Sequence, residues 1–148
     1  MNLHTASEVI SFVKKLENES AKFYDGLAER YSKDKDIFLA FAKENGKNVT
    51  QIERAYYGVI TDAIEGCFAF DIEPDEYMFS TELADNASYT NALNKAEEIE
   101  QKMVNFYSDA AEQSKSLMAD VPRNFTIVAR KRSNRIPKLK SLVEKGGQ

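Results

Sequence analysis

The chain has 148 residues, 43% of them hydrophobic and 30% charged, and a formal net charge of -4 at pH 7. This composition is typical of a folded globular protein and excludes a disordered one, and the length suits a single domain over residues 1–148. No apolar run approaches the roughly 18 residues that a membrane span requires. Because the first residues lack the features of a signal peptide and Cys67 is the only cysteine, we expect a cytoplasmic protein.

Four segments have the apolar periodicity of amphipathic helices, which predicts an all-α fold. In chain order they cover about residues 5–31, 34–64, 87–115 and 120–145. Thr5 and Glu8 have the spacing of a capping box at the start of the first helix. Gly46 and Pro137 fit poorly inside the second and fourth helices, where they cost about 1 and about 3 kcal/mol of helix stability. We therefore expect a kink or an early helix end near Pro137.

Short connections join the first helix to the second and the third to the fourth, which predicts two antiparallel hairpins. A long crossover over about residues 66–86 separates the hairpins, and we expect it to let the third helix start at the same end as the first. One long crossover is typical of a ferritin-like four-helix bundle, and an ordinary up-down bundle is the alternative. The crossover contains apolar residues that we expect to form an interface or a lid: Phe68, Phe70, Tyr77, Met78 and Phe79.

Charge is divided unevenly along the chain. From Arg123 onward there are eight Lys and Arg against one acid, Glu144. Such a segment either binds an anionic partner or neutralises acidic helices of the same chain, and we favour the second. The basic run over residues 129–140 resembles a nucleic-acid-binding stretch, but the acidic remainder would repel a phosphate backbone, so we do not expect nucleic acid as a partner.

The first and third helices repeat one arrangement of a carboxylate and a tyrosine. Glu17 precedes Tyr24 by seven residues and Glu100 precedes Tyr107 by seven, with a Phe directly before each Tyr. A seven-residue step returns to nearly the same helix face, so each Glu points where its Tyr points. The flanking residues are apolar, which indicates an inward face, and a buried carboxylate is costly unless a positive group meets it.

These segments resemble the rubrerythrin branch of the ferritin-like superfamily over nearly the whole chain. The first and third helices resemble that family's Glu-x6-Tyr helices. The second and fourth resemble its Phe-x-x-(Leu/Ile)-Ala-x-x-Glu-x-x-His helices in two stretches: Phe38-x-x-Phe41-Ala42-x-x-Asn45-x-x-Asn48 and Phe125-x-x-Val128-Ala129-x-x-Arg132-x-x-Arg135. The resemblance implies a four-helix bundle that binds two iron ions, with Glu17 and Glu100 among the ligands.

Four of the six ligands that the resemblance implies are missing. Asn45 and Asn48 replace the Glu and His of the second helix, and Arg132 and Arg135 replace those of the fourth. Arginine offers iron no lone pair and repels it. The only histidine, His4, precedes the first bundle layer. We therefore expect no metal and no other cofactor.

The two arginines can instead balance the two inner carboxylates, because a guanidinium binds carboxylates with paired hydrogen bonds and stays charged when buried. We predict an interior network in place of the metal, with Arg135 and Asn48 at its edge and the tyrosine hydroxyls bonded into it. Its members are Glu17, Glu100, Arg132, Arg135, Asn45, Asn48, Tyr24 and Tyr107.

These features predict a non-catalytic protein that binds or assembles through its surface, as a homodimer or with another protein. The alternative is a metal oxidoreductase of the same family, with iron held by Glu17, Glu100 and neighbouring acids. Those neighbours are Glu19, Glu44, Glu97 and Glu98, most of which helical spacing places on a solvated face.

Overall fold

The structure of the chain, a computed structural model, describes residues 2–59, 68–115 and 120–146. Within these residues the helices are α1 (Ala6–Arg30), α2 (Lys35–Val59), α3 (Tyr89–Ser114), α4 (Asp120–Ser133) and α5 (Arg135–Gly146). Two short strands, β1 (Leu3–Thr5) and β2 (Phe68–Ile72), pair in antiparallel orientation, and 3-10 turns cover Ser32–Asp34 and Pro74–Glu76. The described part is an all-α bundle with one small ribbon, and none of its helices is long and apolar enough to cross a membrane.

The helix starts follow the sequence signals. The Thr5 hydroxyl accepts a hydrogen bond from the N–H of Glu8 at 3.2 Å, and the Glu8 carboxylate accepts one from the N–H of Thr5 at 3.0 Å. This confirms the predicted capping box. Ser88 caps α3 in a similar way by accepting from the N–H of Asn91 at 3.0 Å. α2 continues through Gly46 without interruption, and the end predicted near residue 64 lies outside the described residues.

The fourth predicted helix is divided at Asn134, three residues before Pro137. A continuous helix is costly here because Pro137 has no N–H and its ring would clash with the carbonyl of Ser133. With the break at Asn134, Pro137 falls in the first turn of α5, where no intrahelical hydrogen bond needs its N–H. The interruption expected near Pro137 is confirmed, and it lies where the helix can restart without that clash.

The helices pack as two pairs. α1 packs along α2, and α3 packs against both α4 and α5. α2 also packs on α4, while Phe12 of α1 meets Phe106 of α3 edge to face with ring centroids 5.3 Å apart. The order around the bundle is therefore α1, α2, α4, α3, with α1 across the bundle from α4. One cluster of buried apolar side chains fills the centre.

The crossover runs along α1 and α3 from one end of the bundle to the other. Near the start of α1, β2 pairs with β1. Near the end of α1, the Arg30 guanidinium donates to the carbonyl of Asp85 at 2.6 Å, and the Tyr31 hydroxyl donates to the carbonyl of Ala87 at 2.8 Å. α3 therefore begins where α1 ends, antiparallel to α1 and parallel to α2.

The expectation that the third helix starts at the same end as the first is wrong. That expectation assumed that the crossover begins and ends at the same end of the bundle, where α2 finishes. Extended chain gains about 3.3 Å per residue, so the crossover can pass the whole of α1, whose 25 residues span only about 37 Å.

The ribbon was not predicted, although Phe68, Phe70 and Ile72 alternate as a half-buried strand requires. Phe70 and Tyr77 are buried in the core, so the expectation that they form an interface or lid is wrong. Phe79 packs partly buried against the same core, and Met78 is exposed. Cys67 and the side chain of Phe68 lie outside the described part of the chain.

Candidate functional site

Arg132 of α4 lies between two carboxylates at the centre of the bundle. Its Nε and Nη2 donate to Oε1 and Oε2 of Glu17 on α1, at 3.2 and 2.5 Å. Its Nη1 donates to Oε1 and Oε2 of Glu100 on α3, at 2.7 and 2.8 Å. All three side chains are fully buried. One arginine can bridge two helices because its planar guanidinium directs donors along two edges.

Helical spacing turns these side chains inward. Glu17, Glu100 and Arg132 each follow a buried apolar residue by four positions: Val13, Ala96 and Val128, respectively. Residues four apart lie on the same helix face, so packing of the apolar residue fixes the direction of the charged one.

Each of the two tyrosines donates a hydrogen bond to the glutamate of the other helix. The Tyr24 hydroxyl on α1 donates to Oε2 of Glu100 on α3 at 2.6 Å, and the Tyr107 hydroxyl on α3 donates to Oε1 of Glu17 on α1 at 2.6 Å. Because α1 and α3 are antiparallel, the tyrosine two turns beyond the carboxylate on one helix reaches the level of the carboxylate on the other. Each tyrosine thus adds a hydrogen bond to a charge that water cannot reach.

Arg135, at the start of α5, forms the second cationic layer and is almost fully buried. Its Nη1 donates to Oε2 of Glu100 at 3.2 Å, and its Nη2 donates to Oε1 of Glu44 at 2.9 Å and to the carbonyl of Phe41 at 3.0 Å. Its guanidinium carbon lies 4.7 Å from the centre of the Phe41 ring, a cation–π distance. Arg135 therefore connects the buried network to the half-exposed carboxylate of Glu44.

The two asparagines of α2 differ. Asn45 is buried and bonded on both sides: its Oδ1 accepts from Arg135 at 2.8 Å, and its Nδ2 donates to Ser20 Oγ at 2.9 Å and to the Glu17 carbonyl at 3.0 Å. Asn48 is equally buried, yet its side chain has no hydrogen-bond partner among the described residues. The structure brings Asn45 into the network and leaves Asn48 outside it.

Charges inside the network are balanced, with Glu17 and Glu100 against Arg132 and Arg135. Burial by itself would raise the pKa of Glu100, but Arg132 first and Arg135 second hold that pKa below its ordinary value. Burial would lower the pKa of Arg132, and the two carboxylates outweigh it and raise that pKa well above its ordinary value. Burial, and then the adjacent carboxylate, raises the pKa of Tyr24 and of Tyr107 well above the ordinary value.

The residues at this centre do not fit the iron pair that the resemblance implies. Two carboxylates face the centre, but both are occupied by the Arg132 guanidinium, which has no lone pair to offer a metal. Asn48 Oδ1 is buried and unpaired among the described residues, but one neutral amide oxygen does not replace the carboxylate and imidazole ligands that are missing. In the described residues no group of three or more His, Cys, Asp and Glu side chains is placed to hold a metal ion.

Sequence analysis did not predict that Ser20 and Glu44 bind residues of the network. Ser20 accepts from Asn45, and it follows Glu17 by three residues on the same helix face, which was the available signal. Glu44 belongs to a group of acids most of which were expected on a solvated face; it is half-exposed, and Arg135 binds it. His4 lies in β1, with its Nδ1 3.2 Å from the carbonyl of Phe70, away from the Glu/Arg centre.

We expect Arg132→Ala to lower the free energy of unfolding by about 3–5 kcal/mol, because it strands two buried carboxylates without a counter-charge. Arg130→Ala is the matched control: Arg130 is an exposed arginine of the same helix, and we expect a change within about 0.5 kcal/mol. Urea unfolding followed by circular dichroism measures both. An Arg132 variant as stable as the control would show that the pairing contributes nothing to stability.

We expect Asn45→Leu to destabilise the protein by at least about 1 kcal/mol more than Asn48→Leu. The first substitution removes three hydrogen bonds of a buried side chain, whereas the second removes an amide that no described residue binds. Both substitutions exchange the same side chains in the same helix, so each controls for the volume change of the other. Equal losses in urea unfolding would contradict the different roles of the two residues.

Acid should remove the stability that Glu100 contributes. Its pKa is lower in the folded protein than in the unfolded chain, so this contribution is complete above the unfolded pKa of about 4.3 and is lost as pH falls through the folded pKa. The free energy of unfolding should therefore decline as pH falls below about 5. Glu100→Gln should flatten this decline, and an unchanged pH dependence in that variant would contradict it.

No protein-family model, curated protein or solved structure matches this chain.

Proposed function

We propose that this chain is a ferritin-like bundle of rubrerythrin type in which a Glu/Arg network stands in place of a di-iron centre. Its role is then non-catalytic: it binds a partner or assembles through its surface. The observation that carries the proposal is the position of Arg132, whose guanidinium is held by both inner carboxylates at the centre of the four-helix layer.

The course of the chain supports the ferritin-like part of the proposal. An ordinary up-down bundle makes each helix antiparallel to the one before it, whereas ferritin-like bundles contain one long crossover that passes the length of the bundle. Here α2 and α3 are parallel, and the segment between them runs along α1 from β2 to the Arg30–Asp85 contact.

The burial of the network and its occupied carboxylates support the non-catalytic part of the proposal. Glu17 and Glu100 have no exposed surface, and the donors of Arg132 and of one tyrosine occupy each carboxylate. A general acid or base needs a pKa near the working pH and a path to its substrate. The tyrosines have pKa values raised well above the ordinary value, so their protons stay in place at neutral pH.

The test is iron stoichiometry. After anaerobic loading with ferrous ion and desalting, the wild-type protein should retain far less than one iron per chain. The positive control restores the pattern of the resembled family with Asn45→Glu, Asn48→His, Arg132→Glu and Arg135→His in one variant, whose fold is checked by circular dichroism. That variant should retain more iron than the wild type.

Two irons per wild-type chain, with an oxo-bridge absorption on exposure to air, would overturn the proposal and favour the metal oxidoreductase. Iron in the wild type that persists in Glu17→Gln would instead locate the metal outside this centre.

A further inference from the structure

The two sides of the bundle carry opposite charge. α1, the crossover over residues 68–88 and α3 together contain 16 Asp and Glu against six Lys and Arg. α2, α4 and α5 contain 12 Lys and Arg against five Asp and Glu. The four charges of the buried network can be left out of these counts. The first side then has 14 Asp and Glu against six Lys and Arg, and the second has ten Lys and Arg against five Asp and Glu, so the two sides still differ in charge.

These charges lie on opposite sides because of the helix order. α1 and α3 form one side, and the crossover covers it: the Tyr77 ring packs on Phe106 of α3 at 5.6 Å, and Lys102 of α3 donates to the Glu76 carbonyl at 3.0 Å. α2 and α4 form the other side. The acidic crossover and the basic helices therefore face away from each other.

The crossover supplies free negative charge. Its residues 68–88 include six Asp and Glu and neither Lys nor Arg. Asp75, Glu76, Glu82 and Asp85 are exposed, and none of their carboxylates forms a salt bridge with a described residue.

A groove between α2 and α4 supplies free positive charge. It has a volume of about 800 Å³, and three exposed cations, Lys43, Lys47 and Arg54, line it on one face of α2. The nearby acids are already paired: Glu44 with Arg135 at 2.9 Å and Glu53 with Lys14 at 3.2 Å. Among the described residues the three cations have no carboxylate partner, and Asp120 is the only acid that lines the groove.

Hydrogen bonds join the two walls of the groove. Gln51 of α2 donates to Asn124 of α4 at 2.8 Å and accepts from Lys131 at 2.9 Å. Gly46 lies on the α2 wall, and a Cβ built there would meet nothing within 4 Å. A partner can therefore approach the α2 backbone closely without any rearrangement of the fold.

We propose that a second copy of this chain docks its acidic crossover into the α2/α4 groove, and that the copies associate head to tail. The match is one of charge, with four exposed carboxylates on one surface and three unpaired cations on the other. A two-fold dimer cannot use this contact twice, because the two surfaces are on opposite sides of each copy. A head-to-tail contact continues beyond two chains unless its rotation closes a ring.

This contact deepens the assembly role proposed above and rests on it, but it does not depend on the iron content of the centre. A nucleic-acid strand is a weaker candidate for the groove, since none of the described residues that line it is an aromatic that could stack on a base, and the acidic side of the protein repels phosphate.

Sedimentation velocity at high protein concentration tests the proposal, in about 30 mM and about 0.5 M salt, because salt screens exposed charges. At low salt the wild type should exceed twice the 16.8 kDa mass of one chain, and at high salt it should be a monomer. The groove variant is Lys43→Gln, Lys47→Gln and Arg54→Gln. The crossover variant is Asp75→Asn, Glu76→Gln and Glu82→Gln.

Each variant alone should be a monomer at low salt, and an equal mixture should form a complex of two chains and stop there. The mixture pairs one intact crossover with one intact groove, so no free pair of surfaces remains. The matched control is Lys15→Gln, Lys22→Gln and Lys33→Gln, which removes three exposed cations from outside the groove and should associate as the wild type does.

Three results would overturn the proposal: a wild type that is monomeric at low salt, a wild type that stops at two chains, or a mixture that does not recover association. The second of these would favour a two-fold dimer. None of them bears on iron binding, so failure here and failure of the metal-free centre are distinguishable.

Discussion

The fold depends on how two carboxylates are neutralised in a space without water. Burying Glu17 and Glu100 costs several kcal/mol for each ion, and the cost is offset only by a partner of opposite charge with good geometry. Arg132 meets this condition from α4, which lies beside α3 and across the bundle from α1, because its side chain is long enough to reach both helices. Lysine would bring the charge but only a point donor, and could not hold both carboxylates in paired hydrogen bonds. The central layer therefore specifies which helices face each other as well as balancing charge.

Antiparallel packing of α1 and α3 follows from the same layer. On each helix the tyrosine lies two turns after the glutamate, so antiparallel helices place Tyr24 beside Glu100 and Tyr107 beside Glu17. Parallel helices would place the two glutamates at one level and the two tyrosines at another, without these bonds. The long crossover makes the antiparallel arrangement possible, since it carries the chain back past α1 before α3 begins. The repeated Glu–Tyr pattern therefore has the same role in both helices. Each helix supplies one buried carboxylate and one tyrosine hydroxyl, and the hydroxyl donates a hydrogen bond to the carboxylate of the other helix.

Much of the helical architecture could be predicted from sequence, because its signals are local. The capping box at Thr5 and the interruption near Pro137 depend on residues within one or two turns. The direction of α3 could not be predicted in this way, since it depends on the path of the crossover over the whole bundle. The same limit applies at the centre. The resemblance to the rubrerythrin pattern singled out Arg132 and Arg135, but the difference between Asn45 and Asn48 depends on which groups of other helices lie within 3 Å of each amide.

The uneven distribution of charged residues along the sequence accounts for both the buried network and the opposite charges of the two surfaces. A segment rich in arginine and lysine forms α4 and α5, and acidic segments form α1, the crossover and α3. Inside the bundle the two groups meet, and two cations neutralise two anions in fixed geometry. Outside, helix order keeps them apart on opposite sides, where water and salt screen them and nothing in the described part of the chain pairs Lys43, Lys47 or Arg54. The arrangement that pairs Glu17 and Glu100 with the two arginines inside the bundle thus leaves two outer surfaces of opposite charge that one molecule cannot bring together, and the proposed contact joins them between two copies.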